Sequence, residues 1–183
     1  MTTQTPHGPM ALAINVVLFQ FGWFACVLGA ARGTPWLGPV VVAAIVGWHL
    51  ARATFPGREL ALIASAALAG VLFETLLVRA GWVRFDGRTI ATGMGPYWMV
   101  ALWALFATTL NVSLRALHRR PVLALLLGAI GGPAAYYGGA RLGALDLVEL
   151  QAALLALAVG WGLITPLLVA LARRLDGYAG ASA

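Results

Sequence analysis

Six apolar stretches, separated by short polar breaks, run along this chain at about residues 10–31, 36–51, 59–78, 96–114, 121–140 and 148–172. A helix needs about 20 apolar residues to cross the hydrocarbon core of a bilayer. None of the stretches alternates polar and apolar positions as a barrel strand would. A helix is then the one spanning structure that satisfies its own backbone in lipid. The pattern predicts an all-α membrane protein, a six-transmembrane-helix bundle forming one domain over 1–183. The breaks carry matching turn chemistry. Pro56-Gly57 separates the second and third stretches, and Pro96 and Pro121 open the fourth and fifth at first-turn positions, where a missing N–H costs nothing. The apolar run after Pro9 is too long for a signal-peptide core and reads as a retained first helix.

Composition sharpens this picture. The chain is 61% hydrophobic and 10% charged, against about 45–50% and about 25% in ordinary soluble domains. The net charge of +6 comes from residues scattered between apolar runs, so it reads as topology signal beside anionic headgroups and not as a nucleic-acid patch. With alternating helices, Arg52, Arg58, Arg115, Arg119, Arg120, Arg173 and Arg174 share one side, and Arg32, Arg79, Arg84, Arg88 and Arg141 share the other. This bias places both termini in the cytoplasm of a bacterial inner membrane. There is no lysine, which excludes Schiff-base chemistry with retinal or pyridoxal phosphate and excludes a Walker A loop. Cys26 is the one cysteine, so neither an intramolecular disulfide nor a CxxC site can form. The three histidines show no HxxxH, HxxH or HExxH spacing, and no metal or other cofactor is expected.

The polar residues inside the apolar stretches are the candidate chemistry. Glu74 lies at membrane depth in the third stretch, where an ionisable group is costly unless it is paired, protonated or wetted. Tyr97, Trp98, Tyr136, Tyr137 and Arg141 fall at the same level. Together with Glu74 they form a candidate ligand-binding set, and Tyr137 and Arg141 share a helix face as i and i+4. Arg141 or one of the two tyrosines is expected within hydrogen-bond reach of Glu74. At the opposite end, Asn15, His49, Thr108 and Asn111 form a candidate polar cluster. Asn15, Gly22 and Gly29, with Cys26 between them, make a small-residue stripe suited to close helix packing. Gln20 lies on another face of that helix and is a candidate for lining a cavity. Gly128 and Gly132 repeat the small-residue logic in the fifth stretch, and Pro133 and Pro166 mark kink positions. No nucleophile–base pair supports a catalytic residue.

Asn15 through Gly29 (NVVLFQFGWFACVLG), Gly95-Pro-Tyr-Trp98, the run from Trp103 to Leu114, and Gly128-Ala-Ile-Gly-Gly-Pro-Ala-Ala-Tyr136 followed by Gly139-Ala-Arg-Leu-Gly-Ala144 carry a resemblance. They resemble a family of bacterial membrane proteins catalogued as domain of unknown function 2878. The resemblance covers nearly the whole chain, and the segment around Gly128–Ala144 is its most specific part. It implies no activity and assigns no residue a role. It associates the chain with fatty-acid-modifying enzymes, a pointer toward lipid chemistry. The expected partners are the lipid bilayer, a small-molecule or lipid ligand and another membrane protein, with no nucleic acid. Three functions fit: binding or transport of a small or lipid-like molecule near Glu74, an accessory protein or enzyme in lipid modification, or a structural subunit of a membrane complex.

Overall fold

Proline and glycine punctuate the chain where the pattern requires. In the computed structural model, which describes residues 8–85 and 90–179, six α-helices follow one another: α1 (Pro9–Ala31), α2 (Leu37–Arg52), α3 (Pro56–Arg79), α4 (Tyr97–Leu110), α5 (Pro121–Arg141) and α6 (Leu150–Arg174). His7, Asp86 and Arg88 lie outside the described residues. α1, α3 and α5 begin with proline in the first turn. Both Pro133 and Pro166 sit within continuous helices. α1, α3, α5 and α6 are long and apolar enough to cross a membrane, whereas α2 and α4 are shorter. Outward stripes such as Leu68, Leu72 and Leu76 on α3, or Leu155, Val159, Leu163 and Leu167 on α6, leave large apolar side chains exposed. Contiguous surfaces of that kind suit lipid rather than water.

The fourth element differs from its expected span of 96–114. α4 ends at Leu110, and a short 3-10 helix follows at Arg115–Arg119. The cause is local competition for the backbone. The Thr108 and Thr109 hydroxyls donate to the carbonyls of Leu105 and Phe106 at 2.7 and 2.6 Å, and the Asn111 side chain bonds outside the helix. Such side chains offer the chain an alternative to helical bonding. With 14 residues α4 is about 21 Å long, short of the ~30 Å hydrocarbon core. It nevertheless occupies the centre, packed on α1, α2, α3 and α6, with Trp98, Trp103, Leu105 and Leu110 buried. Non-helical backbone is tolerated at membrane depth where protein encloses it.

A two-stranded ribbon, absent from the expected elements, closes one end of the bundle. β1 (Val83–Phe85) pairs antiparallel with β2 (Leu145–Leu147), with Arg84 opposite Asp146 and their side chains joined at 2.6 Å. Gly81 and Gly143, at φ +72° and +84°, turn the ends of α3 and α5 into these strands, a conformation open to glycine at little cost. The expected Asn15/Gly22/Gly29 stripe is buried. A side chain at Gly22 would press on Leu105 and Ile45, and Cys26 takes the backbone of Gly38 against it. α5 packs mainly on α6, because a methyl at Gly128 or Gly132 would collide with Trp161.

Candidate functional site

α1 and α5 stand apart, and the space between them is the main internal feature of the molecule. A cavity of about 470 Å3 is lined by Val16, Phe19, Gln20, Trp23 and Val27 of α1. One face of α5, from Leu127 and Gly131 to Tyr136 and Gly139, lies opposite them, with α4 and Trp161 and Thr165 of α6 behind. Its rim is open: Val16 is 48% and Leu127 42% exposed, and Gln20 and Gly131 are exposed as well. Its back, Trp98, Trp103 and Tyr136, is buried. The result is an apolar cleft between two helices, opening sideways. None of its lining residues is charged.

Glu74 lies directly behind that back wall and is 1% exposed. Its Oε1 accepts from the indole Nε1 of Trp103 at 2.9 Å and from the hydroxyl of Tyr136. Its Oε2 has no hydrogen-bond partner among the described residues. The carboxylate does not itself line the cleft. It fixes Trp103 and Tyr136, which do. Gly70, one turn before Glu74, leaves the space that the Trp103 ring fills, and Trp103 stacks on Trp161 with centroids 4.3 Å apart. Of the expected set, Tyr136 meets Glu74 directly and Trp98 lines the cleft beside it. Tyr97 is half-buried in the first turn of α4 and is not bonded to Glu74. Tyr137 and Arg141 do share a face, but it is the outward one: Tyr137 is 49% exposed and Arg141 is exposed. Tyr136 and Tyr137 lie about 100° apart around the helix, so one of them faces inward and the other does not. Trp103 is the partner that the sequence reading missed. Its indole N–H is invisible to a search for charged or hydroxyl groups.

A second polar centre sits at the other end. Asn15 donates to the Thr108 carbonyl at 3.1 Å and accepts from the Ser113 hydroxyl at 2.6 Å. The hub there is Glu59, fully buried in the first turn of α3. It accepts from His49 Nε2 at 2.8 Å, Asn111 Nδ2 at 2.6 Å and the Gly177 amide at 2.8 Å. The Tyr178 hydroxyl donates to the His49 carbonyl at 2.8 Å, and Arg115 pairs with Asp176 at 2.6 Å. Burial pushes the Tyr178 hydroxyl above the ordinary tyrosine range, with the Glu59 charge adding to it. His118 donates from Nε2 to the Leu110 carbonyl at 3.0 Å, and burial holds it below the ordinary histidine range. Asn15 thus meets Thr108, while His49 and Asn111 meet on Glu59. Glu59 escaped notice because an acidic residue in a helix's first turn, beside Arg58, already has a ready reading as a partner for the helix dipole. The segment after α6 folds back as a clasp: the Gly177 carbonyl accepts from the Phe55 amide at 2.9 Å.

A family profile described as "Protein of unknown function (DUF2878)" matches residues 12–167. The chain belongs to this family. No curated protein and no solved structure matches it. Every cleft-lining residue of this DUF2878 protein, from Val16 to Thr165, lies within the matched span, as does Glu74. The clasp residues Asp176, Gly177 and Tyr178 lie beyond it.

Proposed function

We propose that this DUF2878 protein is a six-span bundle of the bacterial inner membrane whose α1–α5 cleft binds a lipid-like molecule. The observation that carries this reading is the cleft itself, with a volume of about 470 Å3, an apolar lining, an open rim and a buried back. Ligand sites are commonly about 300–1,000 Å3, mostly apolar, with a few placed polar groups. Here those groups include Gln20 on the rim, Thr109, Ser113 and Thr165, and Tyr136 at the back, the last held by Glu74. α2, with one face exposed, and the enclosed α4 complete the six spans.

Gly131 provides the test. A side chain built there meets nothing within 4 Å and projects where the cleft is lined. Gly131→Phe should fill the space without disturbing α5–α6 packing. Native mass spectrometry of gently extracted wild type should show a retained apolar molecule, and the filled variant should lose it. A variant that keeps the same bound molecule would contradict the proposal.

A further inference from the structure

The cleft is long, narrow and unequal at its two ends, and that inequality identifies its occupant. From Val16 to Val27 the α1 wall rises about 16 Å, and the cleft along it has a volume of about 470 Å3. A single hydrocarbon chain suits those proportions. The ribbon end is closed. Leu145 packs toward Gly139, and the Trp23 ring bridges from α1 to Gly138 of α5. Beyond that seal, Arg84 is already paired with Asp146, and Arg141 lies on the outward face.

The other end is formed by Thr109, Ser113 and Leu114. The chain then runs through the 3-10 helix into α5, so Arg119 and Arg120 lie between α4 at the back of the cleft and its α5 wall. Both are exposed. Neither has an acidic partner among the described residues. Arg115 nearby is occupied by Asp176, and His118 by the Leu110 carbonyl. Two exposed guanidinium groups on the segment that follows Thr109, Ser113 and Leu114 at this end of an uncharged slot suit a phosphate followed by an acyl chain. Arginine binds phosphate through two parallel hydrogen bonds, and a charged headgroup would find no counter-ion deeper in the cleft.

We infer that the cleft takes one acyl chain of an anionic glycerophospholipid, with the phosphate held by Arg119 and Arg120 and the chain end pointing toward Leu145 and the ribbon. This deepens the lipid-binding reading and rests on it. The full chain, reconstituted in phosphatidylcholine vesicles containing a minor fraction of phosphatidylglycerol, should retain phosphatidylglycerol selectively after extraction. The double variant Arg119→Gln/Arg120→Gln should weaken that selection about 30-fold, whereas Arg141→Gln should leave it unchanged. Gly131→Phe, or Ala134→Leu on the next turn, should abolish retention of either lipid. Retention that the filled variants remove but that shows no headgroup preference would overturn this inference and leave the lipid-binding reading standing. Loss of selection in Arg141→Gln would reverse the orientation and overturn it as well. Selection that the arginine pair controls but the filled variants do not touch would place the lipid on the surface, outside the cleft. No retention by wild type would remove both readings.

Discussion

Glu74 holds two buried donors, so its replacement has a defined cost. Glu74→Leu leaves the Tyr136 hydroxyl and the Trp103 indole without an acceptor, at about 1–3 kcal/mol for each unsatisfied group. It should lower the melting temperature in detergent, and Glu74→Gln, which keeps a carbonyl oxygen, should lower it less. Adding Tyr136→Phe to Glu74→Leu should recover part of the loss, because one stranded donor is gone. A fully additive double variant would contradict the shared bond. His118 gives a pH dependence of known sign. Its folded value lies below the ordinary value of about 6.5, so in that window the unfolded chain binds more protons. The stabilisation is complete above about pH 6.5 and is lost as pH falls through the lower, folded value. Melting curves at about pH 7.5 and about pH 5.5 should differ less for His118→Gln than for wild type. Glu74 was legible at this scale because a carboxylate in an apolar run breaks the pattern. Arg141 was misplaced because i,i+4 spacing fixes a shared face but not its direction. That direction comes from Gly128 and Gly132 docking on Trp161, a contact between helices that the local sequence does not encode.

At the level of elements, the small-residue positions divide into packed and open. Gly128→Ala must push α5 from α6 and should be destabilising. Gly131→Ala faces open space and should raise stability by about 0.5–1 kcal/mol through helix propensity alone. Thermal melts of the pair would check both signs, and equal effects would refute the packing assignment. The clasp after α6 makes a separate prediction. Ending the chain at Arg174 removes the Gly177 amide from Glu59, the Leu175 carbonyl from Asn111 and Asp176 from Arg115. That variant should melt several degrees lower, with faster amide exchange confined to the 111–120 segment and the start of α3. The helix limits were legible to within about three residues, except at α4. Apolar runs and prolines mark where helices can form. They do not show that Asn111 serves Glu59 from across the bundle, which is why the run through Leu114 looked helical. The ribbon was hidden for a different reason: three-residue strands are too short to display a period.

Across the whole molecule, short connections and cross-links at each end alternate the helices. The clasp joins the α2–α3 turn to the end of α6, and the ribbon joins the ends of α3 and α5. Six alternating spans, as proposed, would put the start of α1 and the end of α6 on one side. Reporter fusions at both ends should give the same compartment, the cytoplasm, by the arginine bias. An active alkaline phosphatase at the C-terminus would reverse that orientation. The bundle was legible as a helical membrane protein from hydrophobic patterning alone. The cleft was not, since it is defined by two helices that stand apart over most of their length, and a sequence records contacts more readily than gaps. That gap has a consequence for biogenesis. α5 is made after α1–α4, and it packs on α6 as a hairpin. Coexpressed as two pieces divided after Arg120, the halves should assemble and co-purify. The cleft is then the seam where the second half meets the first. A lipid would reach that seam sideways through its open rim after the halves have met, so loading would not depend on the order of synthesis.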